Sequence, residues 1–191
     1  QKLRIHLDWS GWNSSKMNMT SAEATRQYAR ALDDWEKAVN LRWDIVTSGP
    51  VNCTVDIGNL SGNTLAWSHL ANNRCSTDFQ QRYDIRRWPS PQYFYLVVLH
   101  ECGHLLGLPH TSGHYIMNPS IISSLTGLTE ADKRRGRELG YGAPSPADPP
   151  TGPRSKIVIP DTAVFMDGVK AGTLKFVPEN GGGDGPVVWE I

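Results

Sequence analysis

The chain has 191 residues and a mass of 21.2 kDa, enough for one medium domain with a short appendage and too little for two full-sized domains. Nineteen Lys and Arg balance nineteen Asp and Glu, so there is no basic field to hold nucleic acid or an anionic membrane. An apolar fraction of 39% with seven Trp excludes a disordered chain, and the longest apolar run, Tyr93 to Leu99, is far short of the roughly 20 residues of a membrane span.

Gln1 follows no charged-then-apolar leader, so any export signal or propeptide is expected to lie outside this chain. Leu3 to Leu7 alternates and predicts a strand, followed by a polar loop through Trp12 and Lys16. Thr20-Ser21-Ala22-Glu23 is a capping box, and the stripe Ala24, Tyr28, Ala31, Leu32, Trp35, Ala38 and Val39 predicts a helix lying on a core. Strands are expected at Leu41 to Thr47 and Val51 to Ile57, with Ser48-Gly49-Pro50 as the turn between them, and a further strand at Leu65 to Leu70. A polar loop containing Cys75 and a short strand at Tyr83 to Trp88 complete this stretch. Ser90-Pro91 opens a second helix that runs to Leu106 and stops at Gly107. A third helix begins at the variant capping box Thr129 to Asp132 and ends near Gly140.

The chain therefore divides into a main domain over 1–142, a Pro-rich extended linker over 143–153 and a small β-rich segment over 154–191. In that tail, strands are expected at Ile157 to Ile159, Ala163 to Met166, Thr173 to Val177 and Val187 to Ile191, with Asp167-Gly168 as a hairpin turn. So short a segment buries little by itself and is expected to dock on its own domain or on a partner.

The chemistry concentrates in His100-Glu101-Cys102-Gly103-His104-Leu105-Leu106-Gly107-Leu108-Pro109-His110. Two His at i and i+4 on a helix lie about 40° apart around its axis, so both imidazoles can reach one ion. Glu101 points elsewhere, where its carboxylate can act as general base on a water at the metal. Gly107 lets the chain leave the helix sharply and return His110 as the third ligand. Three nitrogen ligands leave a fourth position open, as catalytic zinc requires. With this chain's six His and eighteen Gly, the full eleven-residue pattern would arise by chance in about two chains in a hundred thousand. Burying three imidazoles and a carboxylate with no metal would instead leave polar groups unpaired.

These residues resemble the metzincin metallopeptidases and, among them, the matrixins. Tyr115-Ile116-Met117-Asn118-Pro119 matches the family's methionine turn, with Met117 seven residues past His110. Thr20 to Val39 matches its first helix, Leu65 to Leu70 its antiparallel edge strand, and Leu128 to Gly142 its closing helix. The resemblance implies an α+β fold: a twisted, mixed, mostly parallel five-stranded sheet with three helices and a horizontal cleft. It further implies one catalytic Zn²⁺ and protein or peptide substrates, bound as an added strand along Leu65, Ala66 and Trp67. The pocket for the residue after the scissile bond would have Pro119-Ser120-Ile121 as its outer wall and Leu96 setting its depth, favouring cleavage before Leu, Ile, Met or Phe over Asp, Glu or Lys.

The chain also departs from the family. The loop Gly58 to Thr64 has no His or Asp, so the second, structural zinc of matrixins is not expected, while Ca²⁺ sites made of loop carbonyls cannot be read from sequence. Asn118 and Pro119 follow Met117, so the tyrosine that some other metzincins place there is missing, which favours the matrixin branch. His114 reads as an exposed loop residue, His6 and His69 as structural, and Cys102 as a small buried apolar residue. Cys53 and Cys75 are candidates for one disulfide in a secreted, extracellular protein. Arg74-Cys75 resembles the zinc-blocking thiol of matrixin propeptides but lies in mid-domain. The leading expectation is a zinc endopeptidase; a catalytically weak metal-containing binding module and a zinc hydrolase of non-peptide amides are the alternatives.

Overall fold

The computed structural model describes residues 2–58, 60, 62–71, 74–80, 88–144, 155–157, 174–178 and 188–189. The chain divides into two compact units, Gln1–Ser145 and Pro146–Ile191.

In the first unit β1 (Lys2–Leu7), β2 (Arg42–Ile45), β3 (Cys53–Gly58), β4 (Ala66–Ala71) and β5 (Arg74–Gln80) form one sheet in the order β2-β1-β3-β5-β4. The pairs β1–β2, β1–β3 and β3–β5 are parallel, and only the edge strand β4 runs antiparallel, to β5. Parallel neighbours need a long crossover. The one between β1 and β2 contains a one-turn helix α1 (Ser14–Met17) and the long helix α2 (Ser21–Ala38).

All seven residues of the predicted stripe, six on α2 and Val39 at its C-cap, are buried. Thr20 caps this helix by accepting from Glu23 N–H, whereas the Glu23 carboxylate turns to Arg26 and Gln27 and leaves the box half made. Helix α3 (Pro91–Leu106) is buried at twelve of its sixteen positions, as expected of a central helix covered nearly all round. Trp35 of α2 joins the two helices, its indole N–H donating to the Leu99 carbonyl at 3.0 Å. Helix α4 (Glu130–Gly136) opens with a complete capping box and continues into a π-helical turn, Arg137–Tyr141. From that turn the Tyr141 hydroxyl donates to Leu106 O at the end of α3.

The structure corrects two sequence readings. The stretch read as a polar loop around Cys75 is strand β5, held between β3 and β4. Arg-Cys-Ser-Thr-Asp-Phe-Gln has almost no apolar alternation, so its strand comes from pairing on both sides and not from its own pattern. The loop through Lys16 contains α1, capped by Asn13, which makes four helices among the described residues where three were expected. Most of the short strand expected at Tyr83 to Trp88 lies outside the described residues; Trp88 itself is buried and in no strand.

Cys53 is in a disulfide and Cys102 is free and buried. The β3–β5 register sets Cys53 opposite Cys75, the third cysteine of the chain.

In the second unit β6 (Ser155–Ile157), β7 (Leu174–Pro178) and β8 (Val188–Trp189) make an antiparallel sheet in that order. The strand expected at Ala163 to Met166 and the Asp167-Gly168 turn lie outside the described residues.

Candidate metal centre

Helix α3 carries the site because both its ends are fixed. Ser90 accepts from Tyr93 N–H at the start, with Pro91 in the first turn, where its missing N–H loses no bond. At the other end Gly107 adopts φ 103°, a left-handed conformation that few other residues tolerate. Gly107 N–H then donates to His104 O and Leu108 N–H to Gly103 O, the paired bonds of a Schellman stop. The chain turns there, and His110 comes back to face the helix.

The three Nε2 atoms converge: His100 to His104 is 3.0 Å, His104 to His110 3.1 Å and His100 to His110 3.2 Å. Their other nitrogens face carbonyls, His100 Nδ1 at 2.7 Å from Ile116 O and His104 Nδ1 at 2.8 Å from Leu108 O. A carbonyl only accepts, so each of these Nδ1 atoms carries the proton and, in a neutral ring, Nε2 presents a lone pair. Lone pairs aimed at one point repel unless a cation sits among them. Two nitrogens bound tetrahedrally at about 2.0–2.1 Å from one zinc ion would stand roughly 3.3–3.4 Å apart, close to the observed spacing. Among the described residues, these three form the group of metal-capable side chains whose ligand atoms converge. Burial pushes the His100 pKa down to about 4 and lowers that of His104, favouring the neutral form that ligates.

Glu101 is 4% exposed, and its Oε2 is buried with no hydrogen-bond partner. Burial raises its pKa to about 7, with the Ser68 hydroxyl pulling in the other direction. A buried carboxylate oxygen left unpaired is unfavourable for folding.

Behind the imidazoles lies Met117, fully buried. Thr111 N–H donates to Met117 O and ties the two limbs of its loop together. A Cβ built on Gly103 would stand 2.3 Å from Met117 Sδ and 3.2 Å from its Cε, with Trp35 3.4 Å away on another side. Gly103 is therefore glycine because the methionine presses on the helix between the two His turns, a contact the sequence reading did not foresee. Gly103→Ala should destabilise the fold by about 1–3 kcal/mol, the usual result of overpacking. Chemical denaturation reads this directly, and an unchanged midpoint would show that the contact is not tight.

Asp132, the second residue that sequence reasoning underrated, is fully buried. Its Oδ2 accepts from Thr129 N–H at 3.0 Å and Thr129 Oγ1–H at 2.6 Å, closing the capping box, and also from Ile116 N–H at 3.1 Å. Ile116 is the residue whose carbonyl faces His100 Nδ1. The cap of α4 thus holds the loop that orients the first imidazole.

A cleft of about 1180 Å³ passes over these groups. Leu65, Ala66, Trp67, Pro119, Ser120 and Ile121, all singled out from the sequence, line it together with the three His and Glu101. Leu96 does not; it is buried in the core, and Val97 and Tyr93 line the cleft in its place. At about 100° per residue, Val97 and Tyr93 fall on the His104 side of His100, and Leu96 falls about 40° to the other side. That helical arithmetic was available in the sequence. His114 is exposed with Nε2 3.1 Å from Ser124 Oγ, outside the cleft lining, and His6 Nδ1 faces Val46 O. Cys102 is fully buried, which pushes its thiol pKa up.

The mixed sheet, the central helix and the three imidazoles that could hold a metal ion beside a buried carboxylate are compatible with a metallopeptidase fold. A sequence model of the matrixins, peptidase family M10, matches residues 2–139, and the chain belongs to that family. No curated protein matches the chain. Membership and the three-His site together support a zinc metallopeptidase at the family level. No helix among the described residues is long and apolar enough to cross a membrane.

Proposed function

We propose that the chain is a zinc-dependent endopeptidase. The observation that carries this reading is the meeting of three converging Nε2 atoms with the buried Glu101 carboxylate, whose Oε2 has no partner, in a cleft bordered by an edge strand. His100, His104 and His110 hold the ion through Nε2. Zinc bound there supplies Lewis-acid chemistry, acidifying water and polarising a peptide carbonyl. Glu101 takes a proton from the attacking water at its carboxylate and returns it to the leaving nitrogen. The outer edge of β4, which no further strand covers among the described residues, receives the peptide as an added antiparallel strand, so backbone hydrogen bonds hold it while side chains choose among sequences.

The residue after the scissile bond enters between Val97 and Tyr93 on one side and Pro119 to Ile121 on the other. Apolar walls favour apolar side chains by about 0.8 kcal/mol per buried methylene, and a charge would lose its hydration there without a partner. A peptide library digested by the zinc-loaded chain should be cut before Leu, Ile, Met or Phe at least tenfold faster than before Asp, Glu or Lys. Preference for a charged residue would refute this pocket, and a library left uncut would refute the endopeptidase reading. A binding module that keeps its metal without turnover would have no use for a buried carboxylate with an unpartnered oxygen beside it. The peptidase domain is taken as 1–142, followed by the Pro-rich linker 143–153 and the C-terminal segment 154–191. The disulfide at Cys53 favours an oxidising, extracellular setting.

A further inference from the structure

Six of the seven tryptophans have described side chains, and five of these are accounted for by the fold. Trp35, Trp88 and Trp43 are buried in the core. Trp9 and Trp12 are half-buried, and their indole N–H groups donate to Thr25 Oγ1 and Met19 O. Trp67 is the exception: it is 60% exposed, and with Leu139 it is one of the two large hydrophobic side chains exposed among the described residues. It is the second residue of β4 and borders the cleft. The next residue, Ser68, turns its hydroxyl toward α3, 3.4 Å from the Glu101 carbonyl. Because successive side chains of a strand point to opposite faces, Trp67 stands on the sheet face away from α3. On one side β4 is paired with β5; on the other it is the edge of the sheet.

We propose that Trp67 is a specificity-determining residue, an aromatic platform for the substrate side chains that point away from helix α3. The inference rests on the endopeptidase reading and deepens it. A peptide added to the free edge of β4 alternates its side chains as β4 does. The one that enters the pocket at Val97 points toward α3. Its neighbours on either side, the residue before the scissile bond and the second residue after it, point to the face of Trp67, as does the third residue before the bond. Cross-strand aromatic–aromatic and aromatic–β-branched pairs are favourable, and an indole left uncovered by the fold gains most from covering by such a partner. The substrate class is thus an extended peptide with two kinds of apolar residue in alternation, one for the pocket and an aromatic or β-branched one for the indole.

The test is positional profiling of zinc-loaded wild type, Trp67→Ala and Trp67→Phe with one peptide library. Wild type is expected to favour aromatic and β-branched residues at one of the three positions facing Trp67. Trp67→Ala should lose that preference roughly two- to fivefold in kcat/KM, mainly through KM, which is the size of one cross-strand pair. Trp67→Phe should keep most of it, and the preference at the residue after the scissile bond should be the same in all three proteins. A Trp67→Ala profile identical to wild type at all three positions would overturn the platform and leave the endopeptidase reading standing. Equal losses in Trp67→Phe and Trp67→Ala would also overturn it. A wild-type protein that cuts no peptide would overturn both.

Discussion

Glu101→Ala is expected to retain one zinc ion per chain while its peptide hydrolysis falls by a factor of at least ~10²–10⁴, the usual share of a positioned general base. The two halves of this result separate because Glu101 lies beside the imidazoles without joining them. The three Nε2 atoms lie within 3.2 Å of one another, and neither His100 Nδ1 nor His104 Nδ1 depends on Glu101, since both face backbone carbonyls. The fold should not suffer either. Glu101 Oε2 is buried with no partner, and its removal relieves an unfavourable burial that offsets the loss of the carboxylate's bond with the Ser68 hydroxyl. Zinc content, thermal midpoint and cleavage rate measured on one preparation check all three statements. Loss of zinc, or hydrolysis at the wild-type rate, would remove Glu101 from its assigned role.

Asp132→Ala should have the opposite signature, damaging the fold first and the metal site with it. Removing the carboxylate leaves Ile116 N–H, Thr129 N–H and the Thr129 hydroxyl without their acceptor. The buried Ile116 N–H left unpaired is unfavourable by about 1–3 kcal/mol, and the half-buried Thr129 donors add less, so a loss of about 2–4 kcal/mol is expected from a total stability of about 5–15 kcal/mol. Ile116 also presents the carbonyl that orients His100, and loss of such an outer contact typically weakens metal binding by about 10–100-fold. Denaturant unfolding and zinc titration of Asp132→Ala and Asp132→Asn check this. Wild-type stability in both variants would show that the shared carboxylate does not hold the loop to the helix cap.

The parts of the molecule legible in sequence are those in which one chain segment contains its own explanation. The α2 stripe follows from helical spacing and one apolar face, and all its residues are buried. The start and stop of α3 follow from Ser90, Pro91 and Gly107, whose side chains or lack of them act within one turn. The three imidazoles fall within one eleven-residue stretch, so their convergence can be read from a helix and a tight exit. What stayed hidden depends on two segments meeting. Strand β5 is polar and exists because β3 and β4 flank it. Gly103 is glycine because of Met117, fourteen positions later, and Asp132 serves Ile116 as well as its own helix cap. Leu96 is buried and outside the cleft lining, while the angular spacing of α3 puts Val97 and Tyr93 on the cleft face.

The measurement that bears most directly on the central claim is metal removal and return on the wild-type chain, followed with a peptide cut before leucine. A chelator should abolish cleavage, and addition of zinc to one equivalent per chain should restore it, with His104→Ala failing to recover at the same zinc concentration. Cleavage that persists in the metal-free protein, or equal recovery by His104→Ala, would contradict a zinc endopeptidase built on His100, His104 and His110.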